Sequence, residues 1–169
     1  QCSMCNFQLK SNAMANLQPG DKAPAFSGKD RNGKTISLND LKGKKVALVF
    51  YPEDDSPLCT VQVCNLRDNY TMLKKQGFEV IGVSPDDEAS HRHFENKFNL
   101  PFILLSDPDH IIMDKYGVWA EKQMFGNKFM GVKRNTFVID EQGIIRKIIL
   151  RPKTTHHAQE IVKAFDKKQ

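Results

Sequence analysis

No stretch of this chain approaches the roughly 20 consecutive apolar residues that a helix needs to cross a bilayer, so no membrane role is expected and the protein reads as soluble. The opening QCSMCNFQLK carries no long apolar core, and it is not expected to be an intact signal peptide. Cysteine is scarce, with four residues in 169, and a small disulfide-stapled scaffold is excluded on that ground. Charge of one sign is not gathered anywhere. The 25 Lys and Arg and 20 Asp and Glu are interspersed, and the net charge is +5. The longest basic groupings are Lys42–Lys45 with its glycine, Lys133-Arg134 and Lys167-Lys168, all short. Nucleic-acid binding wants a basic face interleaved with aromatics, so none is expected here. The single tryptophan, Trp119, and the Phe-rich stretch through Phe129 read as core or pocket wall. Repeats and low-complexity tracts are absent.

What remains is a chain of 169 residues, 40% hydrophobic, long enough to bury one ordinary core and too short for two. Ser11-Asn12-Ala13-Met14 looks like a protease-cleavage scar ahead of a native start. Residues 1–13 are therefore set aside as a foreign leader, and residues 14–169 are expected to form a single domain in a cytoplasmic protein. That leaves Cys59 and Cys64 as the thiols of the domain. Close thiols in a chain that builds a core without staples point to catalysis, redox sensing or a metal. The leader pair Cys2 and Cys5 has C-x-x-C spacing, but no strand precedes it and no second pair completes a metal site with His156-His157. The five histidines, His91, His93, His110, His156 and His157, form no ligand pattern and are expected on solvated helix faces.

Lys45–Tyr51 is a continuous apolar run of strand length, the pattern of a strand buried on both faces, and it ends at Pro52. From Cys59 to Lys75 apolar residues recur at Val63, Leu66, Tyr70 and Leu73, a helical stripe stopped at Gly77. Phe78–Ser84 is the next strand, and Pro85-Asp86-Asp87 opens a helix through Phe98 with Phe94 and Phe98 on one face. Phe102–Leu105 reads as a short strand, Asp109–Tyr116 as a short helix closed by Gly117, and Asn135–Ile139 as another strand. The turn Asp140–Gly143 leads back into Ile144–Leu150 as a hairpin. A last helix is expected from about Thr155 to Lys167, and Ala120–Val132 reads as an ordered excursion bordering a pocket. This order describes an α/β layer fold with a central mixed sheet flanked by helices, which thioredoxin-like topology fits.

Cys59 sits where a buried strand gives way, through a proline-marked loop, to the first turn of a helix. Free N–H groups and the helix dipole stabilise an anion there, and only a thiolate is a competent nucleophile. Asp54 and Asp55 oppose that charge if they lie close, so a positive partner is required. An inert cysteine belongs within an apolar stripe; Cys59 instead follows Pro57 at a helix start, with Ser56 as a natural N-cap. Five positions on, Cys64 would lie roughly 140° around the axis and about 7.5 Å along it. A relaxed disulfide does not span that separation. If the two sulfurs join, the first turns of the helix must unwind, a two-state element.

The run FYPEDDSPLCTVQVC, residues 50–64, closely resembles the active-site segment of the peroxiredoxins, specifically the bacterioferritin comigratory protein or PrxQ group. The signature residues stand at Pro52, Ser56 and Cys59, with the group's second cysteine at Cys64. The likeness extends through Gly20–Phe26, Leu66-Arg67-Asp68, Leu105-Ser106-Asp107 and Tyr116–Trp119, and places the group's active-site arginine at Arg134. Ser56 replaces the commoner threonine, which keeps the hydroxyl but loses the methyl that stiffens χ1.

The resemblance implies a thioredoxin-like fold and a thiol peroxidase acting on hydrogen peroxide and organic hydroperoxides. Arg134 would favour the Cys59 thiolate and donate to the peroxide oxygens, while Ser56 and the Cys59 N–H orient the substrate. Cys59 would become a sulfenic acid, Cys64 would condense with it, and thioredoxin or a similar dithiol would reduce the disulfide. No metal or organic cofactor is implied, and an intramolecular resolving thiol makes a monomer the simpler expectation. Two other classes compete. A thioredoxin-type thiol–disulfide oxidoreductase would want C-x-x-C at the helix start, which Cys59-Thr60-Val61-Gln62 lacks. A redox-responsive binding or holdase protein would turn over neither peroxide nor disulfide.

Overall fold

The computed structural model describes residues 16–166; residues 1–13, read above as a leader, with Cys2 and Cys5, lie outside the described residues. In chain order the strands and helices are β1 (Ser27–Lys29), β2 (Thr35–Ser37), β3 (Lys45–Phe50), α1 (Pro57–Asp68), α2 (Tyr70–Lys75), β4 (Phe78–Ser84) and α3 (Glu88–Phe98). There follow β5 (Ile103–Ser106), α4 (Ile111–Lys115), β6 (Trp119–Met124), β7 (Asn127–Val132), β8 (Asn135–Ile139), β9 (Ile145–Leu150) and α5 (His157–Asp166). A one-turn 3-10 helix, Leu38–Leu41, follows β2.

Seven strands form one mixed sheet in the order β2-β1-β5-β4-β3-β8-β9, with β3, β4 and β5 parallel and the remaining pairings antiparallel. The two apolar runs read from the sequence are its centre. Val46–Phe50 and Val80–Ser84, Gly82 aside, have their side chains buried, as strands covered on both faces must. Val46, Leu48 and Phe50 pack with Tyr116, Phe137 and Ile139 on one side of the sheet. Ala47, Val49 and Tyr51 pack on the other with Val63 and Leu66 of α1, Leu73 of α2, Phe94 of α3 and Ile161 of α5. Gly82 in β4 is a packing requirement: a Cβ there would lie 2.6 Å from Leu104 Cδ2 and 3.2 Å from Tyr51 Cε1.

The single helix expected over 59–75 is two. Asn69 leaves helical geometry (φ −106°, ψ 10°) and its Nδ2 donates to the Asn65 carbonyl at 2.8 Å, the local competition that makes asparagine a helix interrupter. Asn65 also ties α1 to α5: its Nδ2 donates to Thr155 O at 2.9 Å and its Oδ1 accepts from Ala158 N at 2.9 Å. The excursion at 120–132 is the two-stranded β6–β7 hairpin, reversed at Phe125-Gly126 with both residues at positive φ (50° and 80°), the geometry of a two-residue type I′ turn. Phe125 is 96% exposed, so the Phe-rich stretch is not uniformly core. Among the described residues no helix is long and apolar enough to cross a membrane.

Candidate active site

β3 delivers the chain to one end of the sheet, where Pro52 closes the strand and residues 52–56 form the loop ahead of α1. Ser56 is the N-cap by backbone position and Pro57, which has no N–H to leave unpaired, begins the helix. The Ser56 hydroxyl does not cap, however. It donates to the Glu53 carbonyl at 3.1 Å, inside the loop, which leaves its lone pairs free to accept.

Cys59, in the first turn of α1, is fully buried. It packs in one cluster with Val63 and Leu66, so it extends the apolar stripe of α1. The expected contrast between a stripe cysteine and a helix-start cysteine therefore fails, because at i, i+4 and i+7 the first turn faces the same core as the second and third. What sets Cys59 apart is its polar neighbour. Arg134, in the link between β7 and β8, donates from Nη2 to Cys59 Sγ at 3.2 Å and from Nη1 to Gln62 Oε1 at 2.6 Å. The positive partner required on charge grounds is therefore present, although it lies 75 residues away in sequence.

Gln62, one turn after Cys59, was not singled out from the sequence. It is fully buried, and among the described residues its Nε2 has no hydrogen-bond partner. A buried glutamine one helical turn from a candidate nucleophile is the signal that could have found it. Lys122 of β6 approaches the same cluster; burial and then the Arg134 guanidinium hold its ammonium below the usual lysine pKa. Cys64 lies further along α1, half-buried, and both thiols are free. Burial raises the Cys64 pKa, with Arg67 opposing and Asp68 adding to the shift.

Two histidines expected in solvent are buried, because the helices that carry them turn those positions inward. His157, the first residue of α5, lies 2.9 Å from Thr136 Oγ1 of β8 and 3.3 Å from Glu160 Oε2. Burial pushes its pKa down to about 4 despite Glu160, and the Arg134 charge adds to the fall. His91, on α3, approaches Asp54 Oδ2 at 2.7 Å with Nδ1 and the Leu105 carbonyl at 3.1 Å with Nε2. Asp54 is therefore engaged in a buried hydrogen-bond network of its own. Among the described residues no group of three or more His, Cys, Asp or Glu side chains is placed to hold a metal ion.

Residues 19–148 match the AhpC/TSA family. The chain is 39% identical over 149 residues to the peroxiredoxin Bcp of Bacillus subtilis, covering 88% of this chain and 95% of that protein. It is 43% identical over 141 residues to the peroxiredoxin Bcp of Escherichia coli K12, covering 83% of this chain and 90% of that one. The fold is similar to that of the Xanthomonas campestris bacterioferritin comigratory protein, studied for its alkyl peroxide reduction activity, with a TM-score of 0.78 at 27% identity over 82% of this chain and 88% of that one. Sequence and architecture, a thioredoxin-like fold with the cysteine at the sheet's end, agree, and the chain belongs to the AhpC/TSA family, among its Bcp-type peroxiredoxins, as a thiol-dependent peroxidase.

Proposed function

We propose that Cys59 is the nucleophile of this peroxidase and Cys64 its resolving thiol, with Arg134, Ser56 and Pro52 forming the peroxide site. The observation that carries the reading is the Arg134 Nη2 contact with Cys59 Sγ at 3.2 Å in the first turn of α1. A guanidinium there stabilises an anionic sulfur and presents donors toward the peroxide oxygens, where charge develops as the O–O bond breaks. Pro52 sets the loop's exit from β3. Ser56, its proton engaged by the Glu53 carbonyl, serves as an acceptor for the peroxide O–H.

The Cys59 thiolate attacks the terminal oxygen, the O–O bond breaks, and the leaving alkoxide or hydroxide takes a proton to depart as alcohol or water, leaving a sulfenic acid. The Cys64 thiolate then attacks the Cys59 sulfur. The S–S bond forms, the S–O bond breaks, and the leaving hydroxide takes a proton to depart as water. Both cysteines lie in one continuous helix, so closing this bond requires the first turns of α1 to unwind. A dithiol of thioredoxin type restores both thiols by exchange. Organic hydroperoxides are proposed substrates beside hydrogen peroxide, in line with the alkyl peroxide reduction activity of the Xanthomonas relative. The cycle asks for no second subunit, and a cytoplasmic monomer suffices for it.

The test is the intact mass after one equivalent of peroxide, with peptide mapping. A loss of two hydrogens and a Cys59–Cys64 bond is expected. A bond to another residue, or a stable sulfenic acid with Cys64 still free, refutes the assignment.

A further inference from the structure

We propose that His91 is a positioning residue of the peroxidase, which as an imidazolium fastens the loop 52–56 to α3 and so sets how readily the first turns of α1 unwind.

The ring is fully buried, and each nitrogen faces an oxygen. Nδ1 lies 2.7 Å from Asp54 Oδ2 and Nε2 lies 3.1 Å from the Leu105 carbonyl, a group that only accepts. A neutral imidazole donates once and would turn a lone pair toward one of these oxygens, whereas the imidazolium satisfies both. The other groups around it fit that charge. Tyr51, at the end of β3, lies 3.5 Å from Nδ1 and donates to Asp54 Oδ1 at 2.6 Å. Ser90 of α3 donates to Asp54 Oδ2 at 2.7 Å. Asp86, ahead of α3, accepts from Asp54 N and from Ser84 Oγ, each at 2.8 Å, and Ser84 Oγ is 3.5 Å from Nε2. Glu95, one turn along α3, is paired with Arg31 at 3.2 Å.

Three donors thus converge on the carboxylate of Asp54, a loop residue five positions before Cys59. The neighbouring Asp55 pairs with Lys97 of α3 at 2.8 Å, but in solvent, where such a pair contributes little. The buried contact is the fastening, and it must give way or strain when the chain between Asp54 and Cys64 rearranges. Burial opposes the ring's charge, yet Asp54, the Leu105 carbonyl and Asp86 outweigh it, and its pKa stands above the ordinary 6.5. A raised histidine contributes its full stabilisation below pH 6.5 and loses it as pH rises through the raised value. Alkaline pH therefore loosens the loop, speeding disulfide closure and shortening the time in which a second peroxide takes the sulfenic acid to sulfinic acid.

The cysteine roles enter only this last consequence, so the first measurement leaves peroxide out. Amide hydrogen exchange of the reduced full chain is followed in the segment 52–64 between about pH 6 and pH 9, corrected for intrinsic rates and referred to β4. In the wild type, opening of the segment should grow by about tenfold for each unit by which the ring's pKa exceeds 6.5. His91→Gln should open more at low pH and show no step, while Ser90→Ala should open more and keep it. A flat wild-type profile, or a step that survives in His91→Gln, overturns the proposal. Ring nitrogen shifts showing a neutral imidazole at about pH 6 overturn it without any variant. After one equivalent of peroxide at low pH, His91→Gln should close the disulfide faster than wild type. If exchange behaves as expected and closure does not, the fastening stands and the cysteine assignment falls.

Discussion

Replacing Arg134 with alanine removes two contacts of different kinds, and the structure separates their sizes. The first is the Nη2 donor 3.2 Å from Cys59 Sγ. A hydrogen bond with a charged partner contributes about 1.5–3 kcal/mol. If that is realised as the sulfur attacks, the peroxide reaction slows by about 10- to 150-fold. The second is the Nη1 donor to Gln62 Oε1 at 2.6 Å. Its loss leaves a fully buried amide with no partner at either end among the described residues, at a stability cost of about 1–3 kcal/mol. Competition with a haem peroxidase for limiting hydrogen peroxide reads the first effect, and a denaturant melt of the reduced protein reads the second. Arg134→Lys keeps the charge but not the planar fork, so it should fall between alanine and wild type in both assays. A second-order rate for Arg134→Ala within about twofold of wild type would refute the reasoning, since the contact would then do nothing at the barrier.

Cys59→Ser should abolish peroxide reduction, while Cys64→Ser should permit one round of Cys59 oxidation and block turnover driven by a dithiol; equal activity in both, measured by peroxide consumption with and without reductant, would contradict the roles. His157, held neutral with a pKa of about 4, contributes stability that is complete above its ordinary 6.5 and is lost as pH falls toward 4. Melts at neutral and mildly acid pH should show that loss in wild type and a smaller one in His157→Gln. Gly82→Ala should destabilise by about 1–3 kcal/mol through overpacking against Leu104 and Tyr51, with the slope of the denaturant transition unchanged.

The sheet's centre was legible because buried parallel strands leave continuous apolar runs, and Lys45–Phe50 and Phe78–Ser84 emerged within a residue of their observed limits. β1 and β2 left no such trace: three residues each, with glycine and hydroxyl side chains, are too few to show a period. The β6–β7 reversal escaped because Phe125 occupies the first left-handed turn position, where asparagine or aspartate would have announced it. Of the proposed site, Cys59 was readable from local order, Ser56 only as an N-cap and Pro52 only as the end of a strand; their peroxide-binding roles, and Arg134 altogether, came through family resemblance, since a contact across 75 residues has no local signature. Gln62, His91 and His157 were missed for one reason. A polar side chain turned inward looks, in sequence, like one turned outward until its partners are known.

The double bridge from Asn65 to the start of α5 lies one residue beyond Cys64. It acts as a clasp at the far end of the segment that has to uncoil in the proposed cycle, so the motion has a fixed pivot and a short lever. Leu66 and Leu73, on the far side of the clasp, lie in the interior. The interior contacts that opening would disturb are then those of Cys59, Gln62 and Val63, ahead of the clasp.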